Sequence, residues 1–143
     1  RKDFMIDPYQ IYETKAYGGD CVLLIVAALD KIQLRDFSQL AKELDLDILI
    51  EVHSEAELFD ALTIDPKLLG INNRDLTTFE VDKNLSIKLA KQMPNDITVI
   101  SESGIRTRED IFNCKEHGIH SFLIGESLMK ENSPGKALKE ILS

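Results

Sequence analysis

Several short runs in this chain carry polar side chains straight off an apolar stretch. They are Ile48-Leu49-Ile50-Glu51-Val52-His53, Leu69-Gly70-Ile71-Asn72-Asn73-Arg74-Asp75-Leu76, Val99-Ile100-Ser101-Glu102-Ser103-Gly104 and Phe122-Leu123-Ile124-Gly125-Glu126-Ser127. Each apolar half reads as a buried strand. A carboxylate at the end of such a strand must find a partner or face a cleft. Glu51 and Glu102 are therefore candidates for proton transfer, and Asn72 and Arg74 for holding a ligand. Lys2, in Arg1-Lys2-Asp3-Phe4, would be an ammonium at another strand end. Gly104 and Gly125 each follow an apolar strand and precede a helical or turn segment. Backbone N–H groups in such loops can cradle an anion without basic side chains. His53 lies two residues past Glu51, on the same side of the strand, and has no second His nearby. His117 and His120 flank Gly118 in a helix-to-strand loop and read as solvated. No metal site is expected.

The elements that must position these groups alternate along the chain. Asp7 and Pro8 open a helix that Gly18-Gly19 stops. Residues 21–28 form a continuous apolar strand, the pattern of a sheet covered on both faces. Leu34, Phe37, Leu40, Ala41 and Leu44 mark an amphipathic helix. A strand follows over 47–52, then a helix from Ser54, whose Glu57 completes a capping signature, to about Leu62. The remaining expectations are a strand over 67–71, a helix over 81–92 with Leu85, Leu89 and Ile87 inward, and a turn at Pro94-Asn95-Asp96. Then come a strand over 97–101, a helix over 107–117 capped by Thr107 with Asp110, a strand over 121–124 and a helix over 136–142. Leu128-Met129 reads as apolar packing. Strand–helix alternation of this kind means a parallel sheet with right-handed crossovers. It fits an open doubly wound sheet or a closed (β/α)8 barrel. No strand is followed by the G-x-G-x-x-G fingerprint of dinucleotide folds, whereas polar strand ends are how a barrel assembles its catalytic face.

Composition narrows the partners. The 143 residues carry a net charge of −8, with 43% hydrophobic and 29% charged residues. That is a globular balance, and its acidity argues against a nucleic-acid surface. The longest apolar run, 21–29, is too short to span a membrane, and the opening Arg-Lys-Asp-Phe has no apolar core of a signal peptide. Two distant cysteines suit a reducing, cytoplasmic setting, with Cys21 expected in the core.

Taken together, Lys2-Asp3-Phe4, Glu51-Val52-His53, Gly70 to Leu76, Ser101 to Ile105 and Leu123 to Met129, in that order, make the chain resemble the indole-3-glycerol phosphate synthases of tryptophan biosynthesis. The opening, Arg1 to Tyr12, is similar to theirs as well. The resemblance implies a (β/α)8 TIM barrel and cyclisation of 1-(2-carboxyphenylamino)-1-deoxyribulose 5-phosphate with loss of CO2 and water, without a cofactor. It implies that Lys2 is the general acid on the ribulose oxygen and Glu51 the base or proton acceptor in dehydration. Asn72 orients substrate and Arg74 follows it in the same loop. Glu102 and Ser103 line the pocket, Phe4 forms an aromatic wall, and Gly104, Gly125, Glu126 and Ser127 belong to phosphate loops.

The family's first strand brings a Glu and a second Lys, and no matching segment precedes Arg1. The expectation is a single incomplete barrel domain over 1–143: a stub of the third strand plus strands four to eight with their helices. It would lack the N-terminal extension and the first two βα units. Such a stretch alone is expected to be inactive, to leave apolar residues of 22–26 and 97–100 partly uncovered, and to self-associate or pair with its missing N-terminal part. Two other readings stand beside this one. One is a non-catalytic barrel fragment that binds phosphate or a partner, or needs its missing N-terminal part. The other is a barrel like phosphoribosylanthranilate isomerase, which gives less reason for Glu51 and Asn72 in combination.

Overall fold

A computed structural model describes residues 1–143. The chain divides into two compact units, Arg1–Gly70 and Ile71–Ser143. In order, the elements are α1 (Pro8–Ala16), β1 (Cys21–Ile25), α2 (Lys31–Glu43), β2 (Asp47–Val52), α3 (Glu55–Leu62), β3 (Leu68–Asn72), α4 (Asn84–Ala90), β4 (Thr98–Glu102), α5 (Arg108–Glu116), β5 (Ser121–Leu123), α6 (Glu126–Met129) and α7 (Pro134–Leu142). The boundary between the units falls within β3.

In the first unit the strand order is β1-β2-β3. β1 and β2 run parallel, with Cys21 opposite Asp47 and Ile25 opposite Glu51. Their residues Val22 to Ile25 and Leu49 to Val52 are all buried, as a strand covered on both faces requires. Val22 to Val26 are therefore not left uncovered, contrary to expectation. One reason lies just before α1. The Arg1 backbone nitrogen donates to Cys21 C=O and Leu23 N–H donates to Arg1 C=O at 3.2 Å, and Met5 is buried. These bonds lay the first residues along β1 as a stub too short to count as a strand. Strand β1 also ends earlier than 28, because residues Val26–Ala28 turn into a single 3-10 turn. The expected caps are present. The Asp7 carboxylate accepts from Tyr9 N–H at 2.8 Å and Ser54 Oγ from Glu57 N–H at 3.2 Å.

In the second unit the order is β3-β4-β5, with β4 parallel to β5 and Glu102 opposite Leu123. Ile87, Ile105, Ile111, Cys114, Ile119 and Ile141 form its core, with Val99, Phe122, Ile124 and Leu128 packed against it. Ile97, Val99 and Ile100 are half-buried, as the uncovered end was expected to be. Two expectations need correction here. The helix over 81–92 is shorter, because Val81 bridges to Arg74 and only 84–90 are helical; its buried face is Ser86, Ile87 and Leu89, with Leu85 half-buried. Met129 is exposed, since the short α6 turns only Leu128 onto the core. No helix is long and apolar enough to cross a membrane. Cys114 is buried, and Cys21 is half-buried rather than fully in the core because it opens β1. Burial pushes both thiols up, so neither favours the reactive thiolate.

Candidate active site

Of the candidates, Lys2, Phe4 and Glu51 lie in the first unit. Glu51 is the penultimate residue of β2 and only 2% exposed. Leaving a carboxylate unpaired there would cost several kcal/mol, on the order of a buried ion's desolvation. Lys2 meets it: Nζ donates to a Glu51 carboxylate oxygen at 3.1 Å, while the Lys2 side chain remains 46% exposed. The ammonium thus contacts both a buried carboxylate and solvent. Phe4 is 56% exposed, and its carbonyl accepts from Gln10 Nε2 at 3.0 Å, which ties the segment after Lys2 to α1. His53 N–H donates to the Glu57 carboxylate at 2.8 Å, so the backbone after Glu51 is held by the first turn of α3. His117 and His120 are exposed.

The second unit holds the other candidates. Asn72 ends β3 and is 5% exposed; its Oδ1 accepts from Arg74 N–H at 3.1 Å. The Arg74 guanidinium pairs with the Glu126 carboxylate, which Lys130 also grips. The Lys130 hydrogen bond, then the Arg74 charge, hold Glu126 below the usual carboxylate range. Glu102 ends β4, nearly fully buried. The two residues after it are both left-handed, Ser103 at φ +62° and Gly104 at φ +78°. A Cβ on Gly104 would lie 2.7 Å from Val81 Cγ1, so both the φ and the close approach require glycine. Ser127 Oγ donates to Ile105 C=O at 2.9 Å, joining the Gly125–Ser127 loop to the one after β4.

The sequence marks Lys2, Glu51, Asn72, Glu102, Gly104 and Gly125 as residues at or just after strand ends, and the structure pairs Lys2 with Glu51. Sequence reading gave no role to Asn73, Ser86 or Ser101, all fully buried and hydrogen-bonded to one another. The available signal was the Asn doublet. Consecutive strand residues face opposite ways, so only one of the two amides can face a ligand and the other must be satisfied inside.

Parallel strands joined by helices, with a lysine–glutamate pair at one strand end and a tight glycine turn at another, define a (β/α)-barrel type of chain with charged and amide side chains at its strand ends. Solved structures support the fold. "Native KDPGal structure" aligns with a TM-score of 0.68 at 17% identity, over 96% of this chain and 62% of that one. "Crystal structure of KGPDC from Streptococcus mutans" aligns at 0.68 with 12% identity, over 96% of this chain and 65% of that one. The indole-3-glycerol phosphate synthase family model matches residues 1–141. A protein of Legionella pneumophila (strain Paris) named indole-3-glycerol phosphate synthase is 54% identical over 143 residues, 100% of this chain and 55% of that protein. One of Delftia acidovorans with the same name is 50% identical over 143 residues, 100% of this chain and 54% of its own length. The chain belongs to the indole-3-glycerol phosphate synthase family, and it spans about half the length of these relatives.

Proposed function

We propose that this chain carries much of the catalytic face of an indole-3-glycerol phosphate synthase, in a single barrel domain that further sequence completes. The enzyme closes the indole ring of 1-(2-carboxyphenylamino)-1-deoxyribulose 5-phosphate and releases CO2 and water. The observation that carries this reading is the Lys2–Glu51 pair at 3.1 Å, with Glu51 buried and Lys2 open to solvent. Ring closure joins an aryl carbon to the ribulose carbonyl carbon, and the carbonyl oxygen must take a proton as the bond forms. Lys2 donates it. Loss of CO2 leaves its electron pair in the ring, and loss of the new hydroxyl as water completes the indole. Glu51 accepts the proton that this dehydration sheds and passes it to the departing hydroxyl, which leaves as water, while a proton from solvent restores the Lys2 ammonium. Phe4 lies against the anthranilate ring. Asn72, Arg74, Glu102 and Ser103 hold the substrate so that the reacting carbons meet. The phosphate sits on backbone N–H groups at Gly104 and Gly125 to Ser127. Glu126 would serve there through its N–H, because its carboxylate is taken by Arg74 and Lys130. The chemistry needs no cofactor, and the setting is the cytoplasm. The 143-residue stretch by itself is inactive and self-associates or pairs with an N-terminal portion like that of its relatives.

Genetic complementation tests this reading. In a bacterium lacking its own synthase, the gene for the intact protein should restore growth without tryptophan, and its Lys2→Ala variant should not. Soluble wild-type protein without restored growth would overturn the assignment.

A further inference from the structure

We propose that Asn73 is a positioning residue that sets the Ser103–Gly104 turn and aims the Gly104 N–H at the substrate's phosphate; this rests on the phosphate reading above. The Asn73 side chain is fully buried and every hydrogen-bonding position on it is used. Its Oδ1 accepts from Ser86 N–H at 3.0 Å and from Ser86 Oγ at 2.7 Å. Its Nδ2 donates to Ser101 Oγ at 3.2 Å and to Ser103 C=O at 3.0 Å. The backbone is fixed as well: Asn73 N–H donates to Glu102 C=O and Asp82 N–H to Asn73 C=O, both at 2.9 Å. One amide therefore ties the end of β3 to the start of α4 and to the end of β4. A fully satisfied buried network of this kind holds a single arrangement.

The consequence for the turn follows from the peptide unit. In a planar trans peptide the C=O and the following N–H point in opposite directions. Drawing the Ser103 carbonyl inward onto Asn73 turns the Gly104 N–H outward. That N–H hydrogen-bonds no other group of the protein. Ser103 is held at φ +62°, a region disfavoured for a non-glycine residue, and the Asn73 bond offsets that cost. An apolar residue at position 73 could fill the same space but would release the carbonyl.

The experiment uses the isotopically labelled protein as encoded by its gene, titrated with inorganic phosphate. The variants are Asn73→Asp, which keeps the acceptor for Ser86 but cannot donate to Ser103, and Asn73→Ser, which is too short to reach Ser103, should the first not fold. Ser86→Ala is the control that loosens the same cluster while leaving the Asn73–Ser103 bond. In the parent, phosphate should move the Gly104 amide resonance. In the Asn73 variants the Ser103 and Gly104 backbone shifts should leave their left-handed values. Phosphate should bind at least tenfold more weakly, and KM for the phosphorylated substrate should rise about tenfold with kcat little changed. Ser86→Ala should lose stability but keep phosphate. Folded Asn73 variants with parental turn shifts or parental phosphate affinity would overturn the proposal. A parent whose Gly104 amide ignores phosphate would instead overturn the phosphate reading, and with it the purpose assigned to the turn, while the shifts still report whether Asn73 holds it.

Discussion

Glu51 is buried while its partner Lys2 stays open to solvent, and the proposed mechanism has the ammonium and carboxylate act as a unit. Under that mechanism Glu51→Gln keeps the shape and removes the base, and Lys2→Ala removes the acid. Each should lower kcat of the intact enzyme by about 10²- to 10⁴-fold, the usual worth of a positioned proton-transfer group. KM should change far less, as steady-state kinetics would reveal; a variant with parental kcat would remove that residue from the chemistry. Ser38 makes the opposite kind of case. Its Oγ is buried in α2 with no hydrogen-bond partner. An unsatisfied buried hydroxyl costs about 1–3 kcal/mol, and alanine is the better helix former. Ser38→Ala should stabilise the fold by roughly 0.5–1 kcal/mol once lost packing is counted, seen as a higher urea midpoint; a lower midpoint would contradict this. Strand-end polarity made Glu51, Asn72 and Glu102 legible in the sequence. The buried amide of Asn73 was not, because a satisfied internal hydrogen bond leaves no mark in hydropathy.

At the scale of elements, α5 shows how a helix start is tied down. Thr107 Oγ accepts from Asp110 N–H at 3.2 Å, and the Asp110 carboxylate accepts from Thr107 N–H at 3.0 Å, Arg106 N–H at 2.9 Å and Lys83 Nζ at 2.8 Å. Burial works against the charged carboxylate, but the Lys83 bond and the two backbone bonds outweigh it and hold Asp110 below its ordinary value. A depressed carboxylate contributes stability above its unfolded pKa, about 3.9, and loses it as pH falls through the lower folded value. Asp110→Asn should therefore destabilise by about 1 kcal/mol at pH 7, and the gap from the parent should close below about pH 4. Urea titrations at pH 7 and pH 3 would measure it; a gap of equal size at both would mean that charge plays no part. Caps of this kind were legible at Asp7, Ser54 and Thr107 because they depend on local residue types. The ends of β1 and the start of α4 were not. Continuous apolarity carries on through the 3-10 turn at 26–28, and Val81 leaves the helix for a bridge to Arg74 that no local pattern encodes.

For the whole molecule the governing fact is length: the chain covers 55% of its Legionella pneumophila relative. The order of β/α units was legible because alternating patterns dictate parallel strands, whereas the cover over 22–26 depended on how the first residues fold back. Expressed alone, the 143-residue stretch should sediment as oligomers at micromolar concentration, or form a complex with a co-expressed N-terminal portion. A sharp monomer that unfolds cooperatively and binds no hydrophobic dye would contradict that. The most direct test of the proposed activity is turnover by the purified protein as its gene encodes it. It is given 1-(2-carboxyphenylamino)-1-deoxyribulose 5-phosphate while indole-3-glycerol phosphate and CO2 are followed together. The predicted result is one CO2 released per indole-3-glycerol phosphate formed, with both lost in Lys2→Ala; a folded, soluble wild-type protein that yields neither product would contradict it.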